Sequence, residues 1–140
     1  MRVVLDTNVL VSAVFFGGIP DRVLQSCMSG DHTLVVSLSV YDEYKRVGQE
    51  LGRRHPRRSE VWESILTHIA TRALHVDAET LTVQVSEDAD DDRFLACALA
   101  ARPCLIVSGD KHLLSVTGWN EIEVLRPRQF YDRFIKQEDR

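Results

Sequence analysis

The stretch Met1-Arg2-Val3-Val4-Leu5-Asp6-Thr7-Asn8-Val9-Leu10 decides how the chain folds. Its first five residues form a short run rich in β-branched side chains that ends abruptly at Asp6, as a strand buried in a parallel sheet does. Asp6-Thr7-Asn8 then supplies helix-start chemistry, and an apolar segment continues to Phe16. A strand that passes straight into a helix is the opening unit of an α/β fold, and its repetition would make the sheet parallel.

The unit repeats along the chain. Gly17-Gly18-Ile19-Pro20 breaks the chain, and Pro20-Asp21 opens a second helix carrying Val23, Leu24, Cys27 and Met28 on one face. Thr33 to Ser37 reads as the next strand. Ser39, three residues before Asp42, resembles a capping box and starts a helix near Val40. Arg53 to Arg58, with Pro56 inside it, reads as a basic loop. Ser59 to Ala73 is amphipathic, with Val61, Ile65, Ile69 and Ala73 spaced by four. Leu74 to Val76 is a third strand, followed by a polar, loop-like stretch over 77–89. Asp90 to Ala101 is a helix apolar almost all round, ended by Pro103. Leu105 to Ser108 is a central strand, out of which Gly109-Asp110 turns. Ile122 to Leu125 is a last strand and Pro127 to Lys136 a terminal helix. Strands alternating with helices predict one α/β domain over 1–140, a sandwich around a mainly parallel sheet.

Composition narrows the class. At 140 residues, with 44% apolar and 27% charged side chains, the chain can bury a core without disulfides. Cys27, Cys97 and Cys104 are odd in number and form no C-x-x-C pair, which predicts buried, reduced thiols in a cytosolic protein. The apolar start is interrupted by Asp6 and Asn8, carries a single basic residue and lacks an A-x-A cleavage site, so it does not read as a signal peptide. No run approaches the roughly 20 apolar residues that span a bilayer. The expectation is a cytoplasmic protein without membrane contact. A net charge of −4 speaks weakly against a nucleic-acid partner, less so if acids gather at a metal and bases elsewhere.

In open parallel sheets ligands bind beyond the carboxyl ends of the strands. Asp6 follows the first strand, and Asp110 follows Leu105–Ser108 after a glycine that permits a tight turn, so both should emerge on one edge. Glu43 shares its helix face with Val40, Tyr44 and Val47. A carboxylate against a core needs a partner, and on the residues alone a salt bridge to Arg46 or Lys45 is favoured over a metal. Asp88, Asp90, Asp91 and Asp92 fall in five residues. One acid at a helix start contributes about 0.3–1 kcal/mol, but four repel one another and suggest a nearby cation. Asp92 and Asp91 both stand one turn before inward apolar residues, so periodicity cannot choose between them. Carboxylates without His or Cys select hard cations such as Mg²⁺ or Mn²⁺. No phosphate loop of the G-x-x-x-x-G-K-[ST] form and no G-x-S-x-G elbow is present. Carboxylate-held metals are typical of phosphodiester hydrolysis.

The segments Val4-Leu5-Asp6-Thr7-Asn8-Val9-Leu10, Ser39-Val40-Tyr41-Asp42-Glu43-Tyr44-Lys45-Arg46-Val47, Asp90-Asp91-Asp92-Arg93-Phe94-Leu95-Ala96 and Ser108-Gly109-Asp110 resemble, in order and spacing, the PIN domain. The resemblance spans nearly the whole chain and is nearest to small single-domain toxins of toxin–antitoxin pairs, related to VapC-type ribonucleases. It implies a three-layer α/β/α fold, Mg²⁺ or Mn²⁺, and endonucleolytic cleavage of RNA. It also implies an antitoxin partner and a homodimer. Carried over by position, Asp6, Glu43, Asp92 and Asp110 match the catalytic, metal-holding acids, with Asp91 as second choice to Asp92. Asn8 and Ser108 match supporting polar residues.

Arg53, Arg54, Arg57 and Arg58 read equally as a solvated loop or as a phosphate-contacting arm. Lys111 and His112, beside Asp110, are better placed to touch a scissile phosphate. Against the ribonuclease stands a catalytically silent PIN-fold module that acts through protein or RNA contacts, which the presence of all four acids disfavours. A haloacid-dehalogenase-type phosphatase would need a second acid where Asn8 stands.

Overall fold

A computed structural model describes residues 1–137, so the last three positions of the expected 1–140 span lie outside the described residues. Strand β1 (Arg2–Leu5) leads into α1 (Thr7–Phe16) and α2 (Gly18–Met28), then β2 (Thr33–Val36) into α3 (Leu38–Arg54) and α4 (Pro56–Arg72). After β3 (Leu74–His75) a long connection reaches a short 3₁₀ turn and α5 (Asp92–Ala100). Strand β4 (Leu105–Val107), α6 (Lys111–Leu114), β5 (Glu123–Leu125) and α7 (Pro127–Phe130) complete the described chain. The expected terminal helix is α-helical only to Phe130 and continues to Ile135 as a wider π-type turn.

All strand pairs are parallel, in the order β3-β2-β1-β4-β5. The chain moves outward from β1 to β3, then returns to β1's other side for β4 and β5. Parallel crossovers are right-handed, so connections running in opposite directions lay helices on opposite faces. The result is the expected three-layer α/β/α sandwich. Val3, Val4, Leu5, Val35, Val36, Ile106 and Val107 are fully buried, which explains why these strands read as continuous apolar runs. Cys27, Cys97 and Cys104 are buried free thiols, and burial pushes them up to about 12, 11 and 12 respectively. No helix among the described residues is long and apolar enough to cross a membrane.

Of the boundaries that depart from the sequence reading, two lie at the ends of α3. The cap of α3 is Ser37, whose Oγ accepts from Val40 N at 3.2 Å, so the helix begins earlier than the Ser39 pattern suggested. The expected basic loop over 53–58 is not a loop. Helix α3 runs through Arg53 and Arg54, His55 alone turns the corner, and Pro56 opens α4 at the first helical position, where its missing N–H costs nothing. Arg53 and Arg54 thus complement the carboxyl end of α3, and all four arginines are exposed.

The α3–α4 pair fixes the position of β1. Tyr44, fully buried on α3, donates its hydroxyl to the Leu5 carbonyl at the end of β1. Trp62 on α4 donates Nε1 to the Tyr44 carbonyl at 3.0 Å. Gly48 makes the approach possible, since a Cβ there would lie 2.1 Å from two Trp62 ring atoms. Helix propensity favours alanine over an interior glycine by about 1 kcal/mol. Overpacking a core costs about 1–3 kcal/mol, and this clash is with a buried ring. Gly48→Ala should therefore lower the thermal midpoint by several degrees; a rise would mean that α4 moves aside at no cost.

Candidate metal centre at the β1–β4 edge

The register of β1 and β4 builds the site. Leu5 pairs with Val107, and the ladder extends one step through Asp6 N to the Val107 carbonyl at 3.0 Å. The next residues, Asp6 and Ser108, therefore emerge side by side at the carboxyl edge, where the strand order reverses direction. Ser108, fully buried, donates Oγ–H to Asp6 Oδ2 at 2.7 Å and accepts from Asp110 N at 2.9 Å. One hydroxyl thus ties together both acids predicted from the strand ends. Asp110 in turn caps α6, its Oδ1 accepting from His112 N at 2.8 Å.

The third acid arrives from the segment before α5. Asp91 is buried, with 6% exposure, in the 3₁₀ turn Ala89–Asp91. Ser86 Oγ lies 3.4 Å from its Oδ2. Burial first, then the charges of Asp110, Asp6 and Asp88, push its carboxyl up to about 7. Asp6 is raised by burial and by Asp110, while the Ser108 hydroxyl and the amides of Asn8 and Thr7 pull it back.

A family model for the PIN domain matches residues 2–112. The chain belongs to the PIN-domain family. It is similar in fold to the crystal structure of VapBC2 from Rickettsia felis bound to a DNA fragment from their promoter, at 17% identity and a TM-score of 0.60. It is likewise similar to FitAcB from Neisseria gonorrhoeae, at 19% identity and a TM-score of 0.61. Each likeness covers 90% of this chain and 98% of the other. No curated protein matches it.

The remaining acids expected at a PIN site stand elsewhere. Asp92 points into the long connection, where Oδ1 accepts from Ser86 N at 2.8 Å and Oδ2 from Val85 N at 3.0 Å. Asp91, the second choice from sequence, is the acid of this segment whose carboxyl is raised by the charges of Asp110 and Asp6. The 3₁₀ turn ends at Asp91 and α5 begins at Asp92, so the two side chains diverge. Glu43 is held by Arg46, at 3.0 Å to Oε2, and by Arg93 at 3.3 Å. The Arg46 bridge is one of the two, with Lys45, that the residues alone left open. Asn8 is exposed in the first turn of α1, and Lys111 is exposed beside Asp110. His112 Nδ1 pairs with Glu87 Oε2 at 3.0 Å.

Ser86 was not visible in the sequence. It is 1% exposed, and besides Asp91 its Oγ accepts from Asp88 N at 3.3 Å. The local signal is a serine two residues before an aspartate, a common turn pattern without specificity. Thr7 Oγ1, next to Asp6, is buried without a hydrogen-bond partner.

The raised carboxyl of Asp91 links folding to pH. Its folded pKa of about 7 lies above the ordinary value near ~4, so between those limits the folded chain binds more protons than the unfolded one. Its contribution is fully present below about pH 4 and is lost as pH rises through 7. Asp91→Asn, neutral at every pH, should melt with wild type near pH 4 and above it at pH 8, both in EDTA. A mutant that melts lower at pH 8 would show that the carboxylate is compensated there.

Proposed function

We propose that this chain is a metal-dependent endoribonuclease, the toxin of a toxin–antitoxin pair, acting as a single cytoplasmic domain in a homodimer. The convergence of Asp6, Asp91 and Asp110 at the switch point of the sheet carries the reading. These are hard oxygen donors packed as like charges, with Asp6 and Asp91 raised by burial and repulsion, a state that a divalent cation relieves. Among the described residues no three acid, histidine or cysteine side chains already stand as a ligand set. Uptake therefore requires side-chain rotation, for which Ser108 leaves one oxygen of Asp6 available.

Asp6, Asp91 and Asp110 would hold Mg²⁺ or Mn²⁺. When bound, such a cation activates water and neutralises the charge that develops in phosphodiester hydrolysis. Ser108 holds Asp6 and Asp110 in register, and Asp92 fixes the loop that delivers Asp91. Glu43 joins as the fourth acid only if Arg46 and Arg93 release it. The antitoxin partner and the RNA substrate follow from the resemblance to toxins of this family. Lys111 and the exposed Arg53, Arg54, Arg57 and Arg58 are the cations this reading assigns to RNA phosphates.

With Mn²⁺ or Mg²⁺ the purified protein should cleave single-stranded RNA, and EDTA should abolish cleavage. Asp6→Asn, Asp110→Asn and Asp91→Asn should each lose at least ~10²-fold, the order lost when charge stabilisation is removed. Asp92→Asn, which keeps one amide acceptor, should lose less than Asp91→Asn. Cleavage undiminished in EDTA would end the metal mechanism, and no cleavage under any metal would favour the silent binding module.

A further inference from the structure

A cavity of about 320 Å³ opens beside the acid cluster, between the start of α3, the connection after β3 and the first turns of α5. Its volume lies at the small-molecule end of the range for ligand pockets. It shares the carboxyl edge of the sheet with the metal centre, since Ser37 at its rim follows β2 directly. The chain alternates between the two sites. Asp90 and Asp92 line the cavity, whereas the intervening Asp91 is coupled to Asp6 and Asp110.

The lining is amphipathic and rich in acceptors. Leu81, Ala89 and Ala96 supply apolar surface. Gln84 gives its Nε2 to the carbonyls of Ser86 at 2.9 Å and Glu87 at 3.1 Å, which leaves its carbonyl oxygen as a free acceptor. Glu79 and Asp90 add carboxylates, and Arg93 is the one cation of the lining among the described residues. Such a wall repels phosphate and favours a flat, neutral group with N–H donors at its edge. An adjoining depression of about 450 Å³ shares Asp90 and Arg93 and adds Arg46, Asp42 and Glu43, with both guanidinium groups paired to Glu43, so the acceptor-rich surface continues beyond the cavity. Carboxylates accept from exocyclic amino groups of bases, and uracil has none.

We propose that this cavity is a nucleobase subsite that takes an amino-bearing base (adenine, cytosine or guanine) flanking the cleaved bond and discriminates against uracil. The proposal rests on the ribonuclease reading for its place in the reaction, but base binding itself does not need catalysis. Two measurements separate them. In the first, a nuclease-silenced Asp110→Asn chain is titrated with adenosine, cytidine and uridine and followed by amide NMR. Adenosine and cytidine should bind about tenfold or more tightly than uridine, the discrimination of one good base contact. The shifts should centre on Leu81, Ala89 and Ala96. Glu79→Gln should narrow the gap, and Ala78→Phe, which fills the cavity from its rim, should abolish binding in a chain shown to be folded. In the second, wild type with Mn²⁺ cuts a randomised single-stranded RNA, and the ends are sequenced. One flanking position should be depleted of uracil about tenfold, and Ala78→Phe should erase the bias. Equal binding of the nucleosides, or a gap unchanged by both variants, overturns the subsite. Base-selective binding without any cleavage upholds the subsite and overturns the ribonuclease reading instead.

Discussion

The parallel pairing of β1 with β4 is the constraint on which the rest depends. Its register sets Leu5 opposite Val107, and the ladder then leaves Asp6 and Ser108 as neighbours at the strand ends. A one-residue slip would turn every side chain of β1 over and send Asp6 away from Ser108. The register is protected from two sides. Val3, Val4 and Leu5 have no solvent-facing alternative, being fully buried, and Tyr44 holds the last carbonyl of β1 from the helix above. Trp62 secures Tyr44 through its own carbonyl, so an outer helix, an inner helix and a central strand act as one brace.

The acids are arranged around this brace with two different kinds of compensation. Glu43, at the margin of α3, is neutralised by two guanidinium groups. Asp92 accepts hydrogen bonds from two backbone amides. Among the described residues Asp6, Asp91 and Asp110 have no cationic partner, and burial raises the carboxyls of Asp6 and Asp91. Acids held by guanidinium groups thus differ from the buried ones without a counter-charge, which are those the proposed cation would use.

Much of this was legible in the sequence, for physical reasons. Asp6 and Asp110 could be found because a strand that is buried on both faces ends sharply, and an acid at that end has only one edge to occupy. A salt bridge from Glu43 to Arg46 or Lys45 was legible too, and the structure forms the one to Arg46, three residues on. The choice between Asp91 and Asp92 did not follow, because both stand one turn before inward apolar residues and only the resemblance favoured Asp92, while the turn is 3₁₀ up to Asp91. The corner at His55 was hidden because a basic run containing proline resembles a loop, although proline at a first helical position is equally at home. Ser86 was hidden because its role depends on Asp91 and on the loop that folds back to it, neither of which leaves a periodic trace.

The two outermost strands have a consequence for solubility. Strand β3 pairs over only Leu74 and His75, with one further bond from Val76 N to Val36, and β5 over Glu123 to Leu125. Margins this short give an incoming strand almost no ladder to extend, a common defence against edge-to-edge aggregation. Apolar strands such as Val3-Val4-Leu5 are shielded in the middle of the sheet, where growth of a fibril cannot start without unfolding the brace that covers them.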